Sequence, residues 1–168
     1  MEVVAAAACG VFYAHMNHWT NQNALRSPVV QDVVYVYSPY AWILVHLLLY
    51  GSFVACAFSR PDLRLLTRRL VLGYTMKAVV QFVTIVPQPR LLGGAAVCRD
   101  VPVWSMQGCA DMMFSGHTMC TMLVLYKYKY RSIVVFAMMF QLVFAKMHYM
   151  SDVLMAILAS TAIETWTI

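Results

Sequence analysis

Tyr40-Ala-Trp-Ile-Leu-Val-His-Leu-Leu-Leu-Tyr-Gly-Ser-Phe-Val-Ala-Cys-Ala-Phe58 is a run of 19 residues without a single Asp, Glu, Lys or Arg. A membrane helix needs about 20 predominantly apolar residues, so this run is read as one. It stops at Ser59-Arg60-Pro61-Asp62, where Pro61 pushes Arg60 away from helical geometry. Outward from it, Val3–Ala14, Leu70–Val86, Met112–Tyr126, Ile133–Met147 and Tyr149–Thr167 are apolar in the same way. Those that fall short of a full span are expected to extend into their flanks. The prediction is an all-α membrane protein: six transmembrane helices forming one domain over residues 1–168.

Composition agrees. Of 168 residues, 62% are hydrophobic and 11% charged, and mean hydropathy is +0.68. An ordinary soluble domain carries about 25% charge, so a soluble globule and a disordered chain are both disfavoured. The formal charge of +5 fits cytoplasmic loops and anionic headgroups rather than nucleic acid. Tyr126, Tyr128 and Tyr130 alternate with Lys127 and Lys129 as an interfacial belt; no basic stripe of the nucleic-acid kind is present. Five cysteines lack zinc-site spacing. The thirteen methionines are scattered, as packing residues are. Val3–Ala8 has no basic region before it and is not read as a cleavable leader.

Charge sets the expected orientation. Arg60, Arg64, Arg68 and Arg69, with Lys127, Lys129 and Arg131, place seven of twelve basic residues in two short loops. The positive-inside rule puts both loops, and both termini, in the cytosol. His15–Tyr37, Pro87–Asp111 and the turn at His148 then face the lumen or the exterior. Cys98 and Cys109 share one such loop, as a disulfide or as two free thiols. His15 and His18, three apart, read as headgroup-facing rather than metal-binding.

The chemistry concentrates at that same face. Cys109-Ala-Asp-Met-Met-Phe-Ser-Gly-His-Thr118 opens the fourth helix, and His148-Tyr-Met-Ser-Asp152 opens the sixth. Ionisable groups at membrane depth mark function by default. His148 and Asp152 are four apart, which on a helix puts them one turn apart on one face. The carboxylate then holds one imidazole nitrogen and leaves the other as a nucleophile. His117 approaches from the neighbouring helix. Two histidines and an acid suit attack on a phosphodiester: one takes the phosphoryl group, the other protonates the departing alkoxide. Gly116 permits close backbone approach, while Ser115 and Thr118 offer hydroxyl donors. Lys77 reads either as a structural ion-pair member or as a phosphate contact; Arg99 and Lys146 are further cation candidates.

Cys-x-Asp-x3-Ser-Gly-His-Thr followed by His-Tyr-x2-Asp resembles the paired motifs of the sphingomyelin synthase family, relatives of the type-2 lipid phosphatases. Tyr74-Thr-Met-Lys77 and Val83-Thr-Ile-Val-Pro-Gln-Pro89 resemble that family's third-helix motif, with Lys77 where Arg is common. Pro28-Val-Val-Gln-Asp32 is similar to its segment before the second helix. The likeness runs over residues 24–166. It implies a six-helix, lipid-phosphatase-like bundle with a luminal or exoplasmic site. It also implies transfer of a phospho-headgroup, best matched by phosphocholine from phosphatidylcholine, to ceramide, which releases diacylglycerol. Carried over, His148 is the nucleophile, Asp152 orients it, and His117 is the acid and then the base. Asp111, Ser115, Gly116, Thr118, Lys77 and Tyr149 are the substrate-binding candidates. The implied partners are membrane lipids, ceramide and a glycerophospholipid donor. Neither a metal nor an organic cofactor is required, nucleic acid is not expected, and a homo-oligomer is allowed.

Departures from the family are Ala110 for Gly, Ser151 for Thr, and a short loop before Cys109 in which Asp100 is the available further acid. Phosphoethanolamine and phosphoinositol therefore stay open as headgroups. A lipid phosphate phosphatase is the second reading. Against it, Phe53 stands where the phosphatases' Lys-x6-Arg-Pro motif has its Lys, and Gln141 and Leu142 fill the place of a later Arg. An inactive lipid-binding relative is the third.

Overall fold

A computed structural model describes residues 2–24, 40–59, 61–84, 114–145 and 147–167. Among them are six α-helices: α1 (Glu2–Ala24), α2 (Ala41–Phe58), α3 (Leu63–Val83), α4 (Gly116–Val124), α5 (Arg131–Phe144) and α6 (Met150–Trp166).

The number and order of helices match the apolar pattern. Several ends do not, because they are set by capping rather than hydropathy. α3 begins seven residues before the expected Leu70. The Asp62 carboxylate accepts the Leu65 N–H at 3.1 Å and starts the helix there, a conventional N-cap. Arg64, Arg68 and Arg69 therefore lie on α3 rather than in a loop. α4 starts at Gly116 instead of Met112, capped by Ser115, whose hydroxyl accepts the Thr118 N–H at 3.3 Å. α1 runs past the expected Ala14, so His15 lies in helix, bonded through Nδ1 to the Val11 carbonyl at 2.9 Å.

Among the described residues, no helix is long and apolar enough to cross a membrane. α4 has 9 residues, a length of about 14 Å at 1.5 Å per residue. Its place in the bundle accounts for this. α4 packs against α2, α3, α5 and α6, and Thr118 through Val124 are all buried. A helix covered on every side belongs to a core.

Around α4, helices α2, α5, α6 and α3 form an arc in which successive members touch. Among the described helices, α1 lies outside it, against α3 alone. The contacts Cys9 to Val71, Tyr13 to Tyr74 and Trp19 to Phe82 advance together, so α1 and α3 are parallel. Phe114, Met119, Leu123, Ala156 and Ile163 bind α4 to α6, and Val45, Met138, Leu142 and Val153 join α2, α5 and α6. Cys56 and Leu66 meet over Cys120 and Val124, linking α2 to α3 through α4.

The two ends of the bundle differ in chemistry. At one end, both Glu164 oxygens accept from Arg131 Nη1, at 2.6 and 2.8 Å, tying the start of α5 to the end of α6. Arg69 donates to Thr167 Oγ1 at 2.8 Å and stacks over Tyr126. The basic residues Arg69, Lys127 and Arg131 thus share this end, and the histidines share the other.

Gly73 sets the spacing of α3 and α4. A Cβ there would lie 2.6 Å from Met119 Sδ and 3.3 Å from Leu123 Cδ1. Gly73→Val is expected to destabilise the bundle by about 1–3 kcal/mol through overpacking. Denaturant titration of the solubilised protein checks this; an unchanged midpoint would mean that the two helices are not in close contact.

Candidate active site

The site is built on one short segment tied down on two sides. Phe114 and Ser115 lead into α4. Lys77 Nζ of α3 donates to the Phe114 carbonyl at 2.5 Å. The Ser115 N–H donates to the Asp152 carbonyl of α6 at 3.2 Å. Both bonds act within two residues of the α4 start, so they fix where its first turn points. His117 stands on that turn, half-buried.

Opposite it is the corner between α5 and α6. The Met147 N–H bonds back to the Leu142 carbonyl at 3.1 Å, and His148 follows, 4% exposed. The His117 and His148 rings stand 6.1 Å apart at 70°. Asp152, 1% exposed, approaches His148 Nδ1 with Oδ2 at 3.4 Å. The same Oδ2 accepts the Tyr149 N–H at 2.9 Å, and Oδ1 accepts from Ser151 Oγ at 3.2 Å.

The meeting of His148 and Asp152 is therefore as expected from their spacing, but its cause is different. α6 begins at Met150, so His148 precedes the helix and the two do not lie on one helical face. Asp152 folds back to cap the helix start, and that cap carries its carboxylate to the imidazole. One carboxylate both ends the chain corner and holds the Nδ1 side of the ring.

The other sequence candidates are placed as follows. Lys77 is 1% exposed and also stands 5.7 Å over the Tyr13 ring. Gly116 makes room for this ammonium: a Cβ there would sit 3.2 Å from Lys77 Nζ. Ser115 and Thr118 are fully buried, and Thr118 Oγ1 donates to Ser115 Oγ at 3.0 Å, so these hydroxyls bond to each other in the α4 cap. Tyr149 is buried at the α6 N-cap. Asp111, Asp100, Arg99, Lys146, Cys98 and Cys109 lie outside the described residues. Among the described residues, no group of three or more His, Cys, Asp or Glu is arranged to hold a metal ion.

Lys77→Met is expected to cost about 1–3 kcal/mol, because it leaves the buried Phe114 carbonyl without this donor. Lys77→Arg should recover part of the loss. A thermal shift of the solubilised protein reads both, and two unaltered melting points would remove Lys77 from the support of α4.

The sequence reading missed His46. It projects from α2, half-buried, with its ring 5.8 Å from that of His117 at 74°. The signal was present: it is the one ionisable side chain, tyrosine aside, between Tyr40 and Ala55. It was absorbed into an otherwise apolar run.

No curated protein and no solved structure matches the chain. Residues 108–167 match the family model described as PAP2 superfamily C-terminal. That segment contains His117, His148 and Asp152, the residues the bundle brings together. The match supports a place for this chain in the type-2 phosphatase-like superfamily, whose members are phosphatases or phosphotransferases acting on lipids.

Proposed function

We propose that the protein is a sphingolipid synthase, moving a phospho-headgroup from a glycerophospholipid to the primary hydroxyl of ceramide. Phosphocholine from phosphatidylcholine is the preferred donor group. The observation that carries the reading is the His148–Asp152 pair facing His117. Asp152 holds the Nδ1 side of His148, so Nε2 attacks phosphorus. The bond from phosphorus to the diacylglycerol oxygen breaks, and His117 gives its proton to that oxygen. His117 then takes the proton of the ceramide hydroxyl, whose oxygen displaces Nε2 and forms the new phosphodiester.

Transfer is preferred to phosphate-monoester hydrolysis because of charge. Among the described residues, Lys77 is the one Lys or Arg near the histidines, and it is bonded to Phe114. A monoester dianion calls for several cations, a diester monoanion for fewer.

Multi-pass membrane placement belongs to the same proposal. It is supported by the composition and by large apolar side chains exposed on α2, α5 and α6, among them Leu47, Phe53, Phe136 and Leu158. Apolar surface on this scale marks a protein or lipid contact.

The test is a donor screen in liposomes, with fluorescent ceramide and phosphatidylcholine, phosphatidylethanolamine or phosphatidylinositol in turn. A ceramide product formed with one donor supports the reading and names the headgroup. Phosphate release from phosphatidic acid, without any ceramide product, would replace it with a lipid phosphatase.

A further inference from the structure

Three imidazoles meet at the site end of the bundle, each from a different segment. His46 comes from α2, His117 from α4 and His148 from the α5–α6 corner. His117 is the common neighbour, 5.8 Å from His46 and 6.1 Å from His148 between ring centres. His148 is buried at 4% exposure, while His117 and His46 are half-buried. The more exposed pair, His117 and His46, thus adjoins the buried His148 through His117.

We infer that His46 is a positioning residue that exchanges protons with His117. This rests on the phosphoryl-transfer reading above. The His117 nitrogen that faces the substrate must hold a proton when the alkoxide departs and must lack one when the acceptor hydroxyl arrives. As that nitrogen gives its proton to the leaving oxygen, a protonated His46 passes one to the other nitrogen of the ring, so His117 stays neutral and its substrate-facing nitrogen is left bare. When that nitrogen takes the acceptor's proton, the other returns its proton to His46. Charge and protons balance in each direction, and no other reactant is needed. The ring spacing is within reach of direct contact or of one bridging water.

Packing alone does not account for a histidine here. A phenylalanine would fill the same edge-to-face position at less cost within an apolar helix. What only the histidine adds is a pair of ring nitrogens that can donate or accept a proton. Among the described charged and titratable residues around the pair, α3 presents Lys77, the α5–α6 corner His148, the start of α6 Asp152, and α2 itself Tyr50, whose ring is 6.2 Å from His46. α5 also packs on α2, and its one Lys or Arg is Arg131, at the opposite end and paired with Glu164.

The experiment compares the full-length wild type, His46→Phe, His46→Gln and His46→Ala in liposomes. Initial rates are followed across pH, with and without imidazole buffer. The expected result is a fall of about tenfold or more in all three variants near neutral pH, in line with general acid–base contributions. The pH profile should change shape, and imidazole should restore much of the rate of His46→Ala while leaving the wild type unaffected. Phe and Gln serve as controls for packing. A His46→Phe variant with the wild-type rate and profile would reduce His46 to a packing residue. So would a loss that kept the profile unchanged and did not respond to imidazole. An inactive wild type would instead overturn the underlying functional reading.

Discussion

His148→Ala is expected to lower headgroup transfer by on the order of 10⁴-fold or more, the scale on which removal of a nucleophile acts. The bundle should remain folded. His148 packs at a corner whose backbone is held by the Met147 bond to Leu142, and the Tyr149 N–H keeps Asp152 as its acceptor. His117→Ala should cost less, about 10²–10⁴-fold, because it removes proton transfer and leaves the attacking group in place. Rates should be measured with a single donor lipid, alongside far-ultraviolet circular dichroism of each variant. A folded His148→Ala protein that retained a tenth of the wild-type rate would remove the phospho-histidine step from the mechanism.

Asp152 is expected to show two separable effects. Asp152→Asn keeps an oxygen for the Tyr149 N–H, so the cap survives and stability should change by no more than about 1 kcal/mol. Its rate should nevertheless fall by about 10³–10⁴-fold, because an amide does not hold His148 in the tautomer that leaves Nε2 free. Asp152→Ala removes the acceptor as well. It leaves a buried N–H at the start of α6 and should lose about 1–3 kcal/mol in addition. In the pair with His148→Ala, the rate losses should not multiply, since both residues serve one nucleophile. Two independent, multiplying losses would mean that Asp152 acts on the reaction by another route. An equal stability loss in Asn and Ala would mean that the charge, not the cap, holds the corner.

The helices and the contacts of the candidate site were legible in the sequence to different depths. Hydropathy is a long-range signal, and it located all six helices. It does not register single side-chain hydrogen bonds, so the polar first turns of α3 and α4 were misplaced where Asp62 and Ser115 cap them. The spacing of His148 and Asp152 predicted their contact, although the corner before α6 and not a shared helical face produces it. Ser115 and Thr118 looked like phosphate donors because a sequence does not show that the two hydroxyls meet each other. His46 could not be paired with His117 from the chain, because the contact is purely tertiary and spans 71 positions between α2 and α4.

The enclosure of α4 has a kinetic consequence. Its amide hydrogens reach solvent only when the helices around it part, so their exchange should report opening of the whole bundle rather than local fraying. Among the described helices α1 leans on α3 alone, so it can exchange earlier. His117 stands on that enclosed element, and His148 stands at a corner whose Asp152 is bonded to its first turn. Heat inactivation should then coincide with global unfolding, even where α1 has already opened.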